Sequence, residues 1–126
     1  MKTLRVLIVD DLAQVREGLA ALLELAGHKL DPAIQVAGAA RDGIEAIRLS
    51  QALHPDVILM DLEMPGMDGY EATRQIKAAQ AQVRVIVLSI HAGAEAVQKA
   101  RQAGADGFVV KGMDTQTLLN AIRAGD

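Results

Sequence analysis

The sequence predicts one α/β domain, a doubly wound (βα)5 unit in which helices cover both faces of a five-stranded parallel sheet. Three observations carry this reading. Five apolar runs of strand length recur, each is followed by a segment with helical spacing, and 126 residues leave no room for a second domain. Strands that alternate with helices need crossover connections, which are right-handed and put helices on both sides of the sheet.

The first run is Leu4 to Val9. Leu12, Val15, Leu19, Leu22, Leu23 and Ala26 follow it at helical spacing, with Gly27 as a C-terminal stop. The second is Ile34 to Ala39. Asp42 and Glu45 then form a capping box, with Asp in place of Ser or Thr, that opens a helix through Ile44, Ile47 and Leu53. The third, Val57 to Met60, is introduced by Pro55 and Asp56 and is wholly apolar, as a strand buried on both faces must be. Asp68 and Glu71 repeat the capping arrangement, and Ile76 supplies the buried face of that helix. The fourth run is Val83 to Leu88. The helix after it, Gly93 to Gln102, carries mostly alanine at its apolar positions, with Val97 the larger exception, so it is expected to be among the less firmly docked elements. The fifth is Gly107 to Val110. A last helix runs from Thr115 to Arg123 with Asp114 as N-cap and Leu118, Leu119 and Ile122 facing inward.

A chain that is 51% hydrophobic and 23% charged is globular rather than disordered, and a net charge of −3 offers no general attraction for nucleic acid. Direct DNA contact would need another domain, and residues 1–126 are read as one domain with no output domain. With no cysteine, disulfides and thiolate metal sites are excluded. Met1, Lys2 and Thr3 lead at once into a short strand, without a secretory signal. No apolar run approaches the roughly 20 residues that span a bilayer. The expectation is a cytoplasmic protein with no membrane contact. The chain ends at Ala124, Gly125 and Asp126, just after the last helix.

Open parallel sheets bind ligands beyond the carboxyl ends of their strands, and four strand ends here carry polar residues. Asp10 and Asp11 end the first strand, Asp61 the third, Ser89 the fourth and Lys111 the fifth. Three carboxylates in one small volume raise each other's pKa or attract a hard cation, and oxygen ligands without His or Cys favour Mg2+ or a similar ion. The plainer readings are that Asp10 or Asp11 caps the first helix, that Ser89 starts a loop, and that Lys111 is a solvated surface lysine. Each stands alone, but together they leave the joint pattern unexplained, and Asp61 with it.

Asp10 and Asp11, Asp61 with Met64, Pro65, Gly66, Met67, Asp68 and Gly69, then Ser89 and Lys111, resemble in order the signature of response regulator receiver domains, the CheY-like phosphoacceptor family with a flavodoxin-like fold. The resemblance spans essentially the whole chain. It implies that Asp61 accepts a phosphoryl group from a sensor histidine kinase or phosphotransfer protein. It further implies that Asp10, Asp11, Asp61 and the backbone carbonyl of Glu63 hold Mg2+ or Mn2+, and that Ser89 and Lys111 contact the phosphoryl oxygens. Phe108 stands where the family has an aromatic residue that turns inward when the hydroxyl residue is drawn to the phosphate. Phe108 also reads as plain core filling. Homodimerisation on phosphorylation is a further implication, with no surface selected.

Several positions depart from the pattern. Ile90 is larger than the small residue many receivers carry after the hydroxyl. With Leu88, Ser89 and His91 it resembles the NarL/FixJ type, whose receivers are joined to a helix-turn-helix domain that regulates transcription. Gly112 replaces the proline that often follows the lysine, so the cis peptide of that position is not implied. Glu63 and His91 flank the site where the family tunes phosphate lifetime, and read equally as solvated loop residues. His28 and His54 make no metal ligand set. A flavodoxin-like cofactor binder would need hydroxyls and glycines after the first strand, where Asp10 and Asp11 would repel its phosphate. A phosphohydrolase of the haloacid dehalogenase type would need an acid at position 12, which is leucine.

Overall fold

The computed structural model describes residues 3–91 and 93–124, so Met1, Lys2, Gly125 and Asp126, read above as the flanks of the domain, lie outside the described residues. Five strands, β1 (Thr3–Val9), β2 (Ala33–Ala40), β3 (Val57–Asp61), β4 (Arg84–Ser89) and β5 (Gly107–Val110), alternate with five helices. These are α1 (Ala13–Gly27), α2 (Gly43–Leu53), α3 (Gly69–Ala79), α4 (Ala94–Gln102) and α5 (Thr115–Arg123). The strands form one parallel sheet in the order β2-β1-β3-β4-β5. The order turns back at β1, which places the crevice of a doubly wound sheet between the ends of β1 and β3. Expected and observed elements agree to within a residue or two.

The apolar runs of the central strands β1, β3 and β4 are continuous because these strands bury both faces. Val6, Ile8, Val57, Leu59, Ile86, Leu88 and Val109 pack on one side with Leu23 of α1 and Leu118, Leu119 and Ile122 of α5. Leu7, Val9, Ile58, Met60 and Val85 pack on the other with Ala46 of α2 and Ala72 and Ile76 of α3. Removing such side chains from water, at about 25 cal/mol per Å2 of apolar surface, is the main stabilising term. The edge strand β2 contains a bulge, since Val36 pairs with Val6 but Gly38 with Leu7. A bulge twists an edge and blunts its pairing with another chain.

Capping follows the sequence closely for three helices. Asp42, Asp68 and Asp114 accept from the N–H groups of Glu45, Glu71 and Thr117 at 2.8, 2.9 and 2.8 Å. Two other ends are closed from a distance, by arginines with no local sequence signal. Arg5 on β1 donates to the carbonyls of Leu53 and His54 at the end of α2. Arg84 on β4 donates to Ala121 and Ile122 at the end of α5, at 2.8 and 2.7 Å. Ile44, the first apolar residue of α2, is 68% exposed and stays outside the core.

Helix α4 is thinly packed, as its alanines suggest. Ala100 is its buried residue, and a small void of about 60 Å3 lies between the helix and β5, lined by Val97, Ala100 and Phe108 among others. Its carboxyl end is tied down: just beyond it, Asp106 accepts from the Val85 N–H and from Lys77 Nζ, both at 2.9 Å. Its amino end starts at Gly93 with no side-chain cap.

Gly69 opens α3 against the end of β3 so closely that a Cβ there would lie 2.2 Å from the carbonyl oxygen of Asp61. Gly69→Ala should therefore destabilise the protein by about 1–3 kcal/mol through overpacking. Gly18→Ala, in the middle of α1 where nothing lies within 4 Å, should stabilise it by roughly 0.5–1 kcal/mol. Urea midpoints of the two variants check both signs.

Candidate functional site

Side-chain alternation along the strands sorts the polar residues at the carboxyl edge into two groups. Asp10, Asp61 and Lys111 each lie two residues beyond Ile8, Leu59 and Val109, which belong to the α1/α5 face. Ser89 lies two beyond Val87, and Val87 pairs with Phe108, so Ser89 and Phe108 belong to the face under α4. The strand pairing holds this arrangement to the edge, where Asp10 N–H donates to Ala40 and Lys111 N–H to Ser89.

The first group forms one linked cluster. Lys111 Nζ lies 3.0 Å from Asp10 Oδ2 and 3.1 Å from Asp61 Oδ1. Asp10 and Asp61 are 1% and 3% exposed. Asp11 is exposed beside them, and Asp10, Asp11 and Asp61 each offer an oxygen within 4.8 Å of the others. Asp61 Oδ1 also accepts from the Glu63 N–H at 3.3 Å, so both of its recorded hydrogen bonds fall on one oxygen. Oδ2 is the free oxygen among the described residues.

Burial pushes the Asp61 carboxyl above its ordinary 3.8; the Lys111 hydrogen bond offsets part of this and the charge of Asp10 adds to it. Burial pulls the Lys111 ammonium down, but its hydrogen bonds and attraction to Asp10 and Asp61 outweigh that, and the net shift is upward from 10.5. Three carboxylate oxygens with no soft ligand suit a hard divalent cation that retains waters, and the cluster fits Mg2+ or Mn2+.

The helix-capping alternative for Asp10 and Asp11 is resolved by the turn itself. Leu12 is the N-cap of α1 and has no side-chain cap; Asp10 Oδ1 accepts the Leu12 N–H at 3.0 Å, across the turn rather than from within the helix. Asp10 therefore shapes the turn and belongs to the cluster at once. Arg16, which the motif did not single out, donates from α1 to the Asp10 carbonyl at 2.8 Å.

Ser89 is buried, and its Oγ accepts from the His91 N–H at 3.0 Å. The acidic cluster is bound to Lys111 instead, so the two residues expected to face the acids together do so unequally. Phe108 is half-buried and packs with Tyr70 against Leu62, Val87 and Ala100. Tyr70 escaped the sequence reading, although these are the chain's two aromatic residues. Outside the cluster, His91 Nε2 and Glu63 Oε1 lie 2.9 Å apart. This pair was not legible from residues 28 positions apart. Ile90 and Leu12 are 61% and 57% exposed. Gly112 has φ +93, a left-handed turn that lets the chain leave Lys111 without a proline. The structure places His54 at the end of α2, also left-handed at φ 49, and His28 beside the Glu24 carbonyl, and neither belongs to the acidic cluster.

Comparison with known proteins points the same way. Residues 6–123 match the family model described as the response regulator receiver domain. The chain is 45% identical over 121 residues to the transcriptional regulatory protein LiaR of Bacillus subtilis, which covers 96% of this chain and 55% of that protein. It is 37% identical over 117 residues to the nitrate/nitrite response regulator protein NarL of Escherichia coli K12, covering 93% and 52%. It thus spans about half the length of these relatives. Among solved structures, a LuxR-family two-component response regulator from Aurantimonas superposes with a TM-score of 0.88 at 39% identity, covering 98% of this chain and 84% of that one. The signal receiver domain of a NarL regulator from Mycobacterium tuberculosis gives 0.85 at 32%, covering 98% and 99%. The cluster of acids facing one lysine at the edge of a β2-β1-β3-β4-β5 sheet thus has its place in an established family: the chain belongs to the response regulator receiver domains of two-component signal transduction.

Proposed function

We propose that Asp61 is the phosphoacceptor, that Asp10, Asp11, Asp61 and the Glu63 carbonyl hold Mg2+ or Mn2+, and that Ser89 and Lys111 receive the phosphoryl oxygens. The single observation that supports this best is the Lys111 ammonium set between Asp10 and Asp61, with Asp11 beside them. A buried carboxylate with one oxygen free and the other held by two donors is an oriented nucleophile. Asp61 Oδ2 forms a bond to phosphorus as the bond from phosphorus to the donor nitrogen, or to the oxygen of a small acyl phosphate, breaks. The donor's electron pair leaves with that atom.

Bound Mg2+ would offset the repulsion between the carboxylates and the incoming phosphoryl group and stabilise charge on its oxygens. Lys111 supplies the same compensation from the other side, where positioned cations account for most of the catalysis in a loose transition state. The domain acts on itself in this way, taking the phosphoryl group from a sensor histidine kinase or phosphotransfer protein and later losing it to water, and is not an enzyme acting on a separate substrate. The switch follows from the second group of residues. A phosphoryl group on Asp61 brings acceptor oxygens that draw the Ser89 hydroxyl. Phe108, which lines the void, and the uncapped amino end of α4 then repack.

The wider role is proposed on the same footing. LiaR is named as a transcriptional regulatory protein and NarL as a nitrate/nitrite response regulator. On that ground the output is transcription, through a helix-turn-helix domain outside these residues, with action as a stand-alone receiver as the alternative; this domain makes no nucleic-acid contact itself and pairs with a second copy when phosphorylated. Among the described residues no helix is long and apolar enough to cross a membrane, which fits the proposed cytoplasmic setting.

Incubation with Mg2+ and acetyl phosphate should add one phosphoryl mass, and Asp61→Asn should abolish it; an adduct that persists in the variant would sink the assignment. In a metal titration, Asp11→Ala should weaken Mg2+ binding more than Ser89→Ala, because only Asp11 is a ligand, and equal losses would contradict these roles. The raised Asp61 pKa gives a third test. Its ionised form is disfavoured in the folded state, so stability is lost as pH rises above 3.8 through the folded value. Without metal, Asp61→Asn should therefore melt at a higher temperature than the wild type at pH 7, and the gap should close as the pH falls towards 4. Thermal melts in EDTA across that range measure it.

A further inference from the structure

We infer that Arg16 is a positioning residue for the metal pocket: by holding the main-chain oxygen of Asp10 it fixes the peptide that joins Asp10 to Asp11, and so sets how tightly the divalent cation is held. The inference rests on the metal role proposed above for those two residues. Four polar groups of Asp10 each have a partner. Its N–H donates to Ala40 at 3.0 Å, Oδ1 accepts from Leu12 at 3.0 Å, Oδ2 from Lys111 at 3.0 Å, and the carbonyl from Arg16 Nη1 at 2.8 Å. The first three belong to the sheet, the turn or the cluster itself. Arg16 reaches the fourth from α1, where its own N–H is bonded to the Leu12 carbonyl at 3.1 Å.

Asp11 shows why that grip matters. It is exposed, and no hydrogen bond to its carboxylate is recorded among the described residues. Among the described residues no hydrogen bond to the side chain fixes its direction, so its position relative to Asp10 and Asp61 depends on the peptide between residues 10 and 11. That peptide's oxygen is the atom Arg16 holds. Helix α1 also lacks the Asp cap that closes the starts of α2, α3 and α5. Arg16 ties the helix to the strand end in its place. Groups that orient metal ligands without touching the metal typically change affinity by 10–100-fold when removed.

The sign separates this role from a simple charge effect. A guanidinium near a cation site repels the cation, so neutralising it should tighten binding if charge alone mattered. Loss of positioning should weaken it. Calorimetric titration of the protein with MgCl2 is expected to give about 10-fold weaker binding for Arg16→Gln, and Arg16→Lys, which keeps one donor, should recover part of the loss. The metal-free melting midpoint, measured in EDTA, shows that each variant is folded at the titration temperature. Unchanged or tighter binding by a folded Arg16→Gln, with or without a lower midpoint, would overturn the inference and leave Arg16 as a purely structural tie. Equal losses in the Gln and Lys variants would overturn it too, because donation to the Asp10 oxygen would then not be the cause. If Arg16→Gln does not fold, undiminished affinity in Arg16→Lys relative to Asp11→Ala and wild type counts against it, and an intermediate affinity supports it. Failure of the metal role itself looks different: wild type would not bind Mg2+, or Asp11→Ala would bind as well as wild type.

Discussion

The ammonium of Lys111, set between two buried carboxylates from different strands, is the interaction on which the rest of the site depends. Asp61 and Asp10 are almost wholly removed from water, and like charges brought that close are costly unless compensated. Lys111 provides the compensation with hydrogen bonds of about 3 Å to each. It can do so because β4 lies between β3 and β5 and hands the β5 chain on at its end, through the Lys111 N–H bond to the Ser89 carbonyl. Burial, with the charge of Asp10 added, keeps the Asp61 pKa raised even though Lys111 lowers it. Three carboxylates facing one ammonium make a donor set that suits a hard divalent cation.

The alternation of side chains divides labour across the sheet. The face shared with α1 and α5 carries the carboxylates and the lysine, and that face has the large aliphatic core of Leu23, Leu118, Leu119 and Ile122 behind it. The opposite face, under α4, carries Ser89 and Phe108 over a small cluster containing Ala100 and a void. The acidic cluster thus stands on the more heavily packed side of the sheet, and Ser89 and Phe108 on the more thinly packed one. Helix α4 is anchored at its far end by the Lys77 and Asp106 pair and left uncapped at the end nearest the site. In the proposed switch, a helix held at one end would pivot rather than detach.

Much of this was legible in the sequence because the signals are local. Strand runs, Asp caps at residues 42, 68 and 114, and the thin packing of α4 follow from periodicity, capping chemistry and residue size, and each emerged within a residue or two of its expected place. The site residues were legible for a related reason. In a parallel sheet the carboxyl ends of the strands share one edge, so a polar residue ending each apolar run is near the others before any coordinate is known. What had no local signal was missed. The arginine caps from Arg5 and Arg84 act across 48 and 38 residues or so of chain, Tyr70 joins Phe108 from α3, and Glu63 meets His91 across the mouth.

The sequence by itself determined the element order, the parallel sheet and the set of residues at its functional edge, because those depend on short-range pattern and on the few topologies that pattern permits. Tertiary structure decided how that set is wired. It gave Lys111 to both Asp10 and Asp61, turned Ser89 to the His91 N–H, and brought Arg16 from the next helix onto the Asp10 carbonyl. Hydrogen bonds of this kind are fixed by distances of a few tenths of an ångström between atoms on different elements. Only the packing of those elements against one another sets such distances.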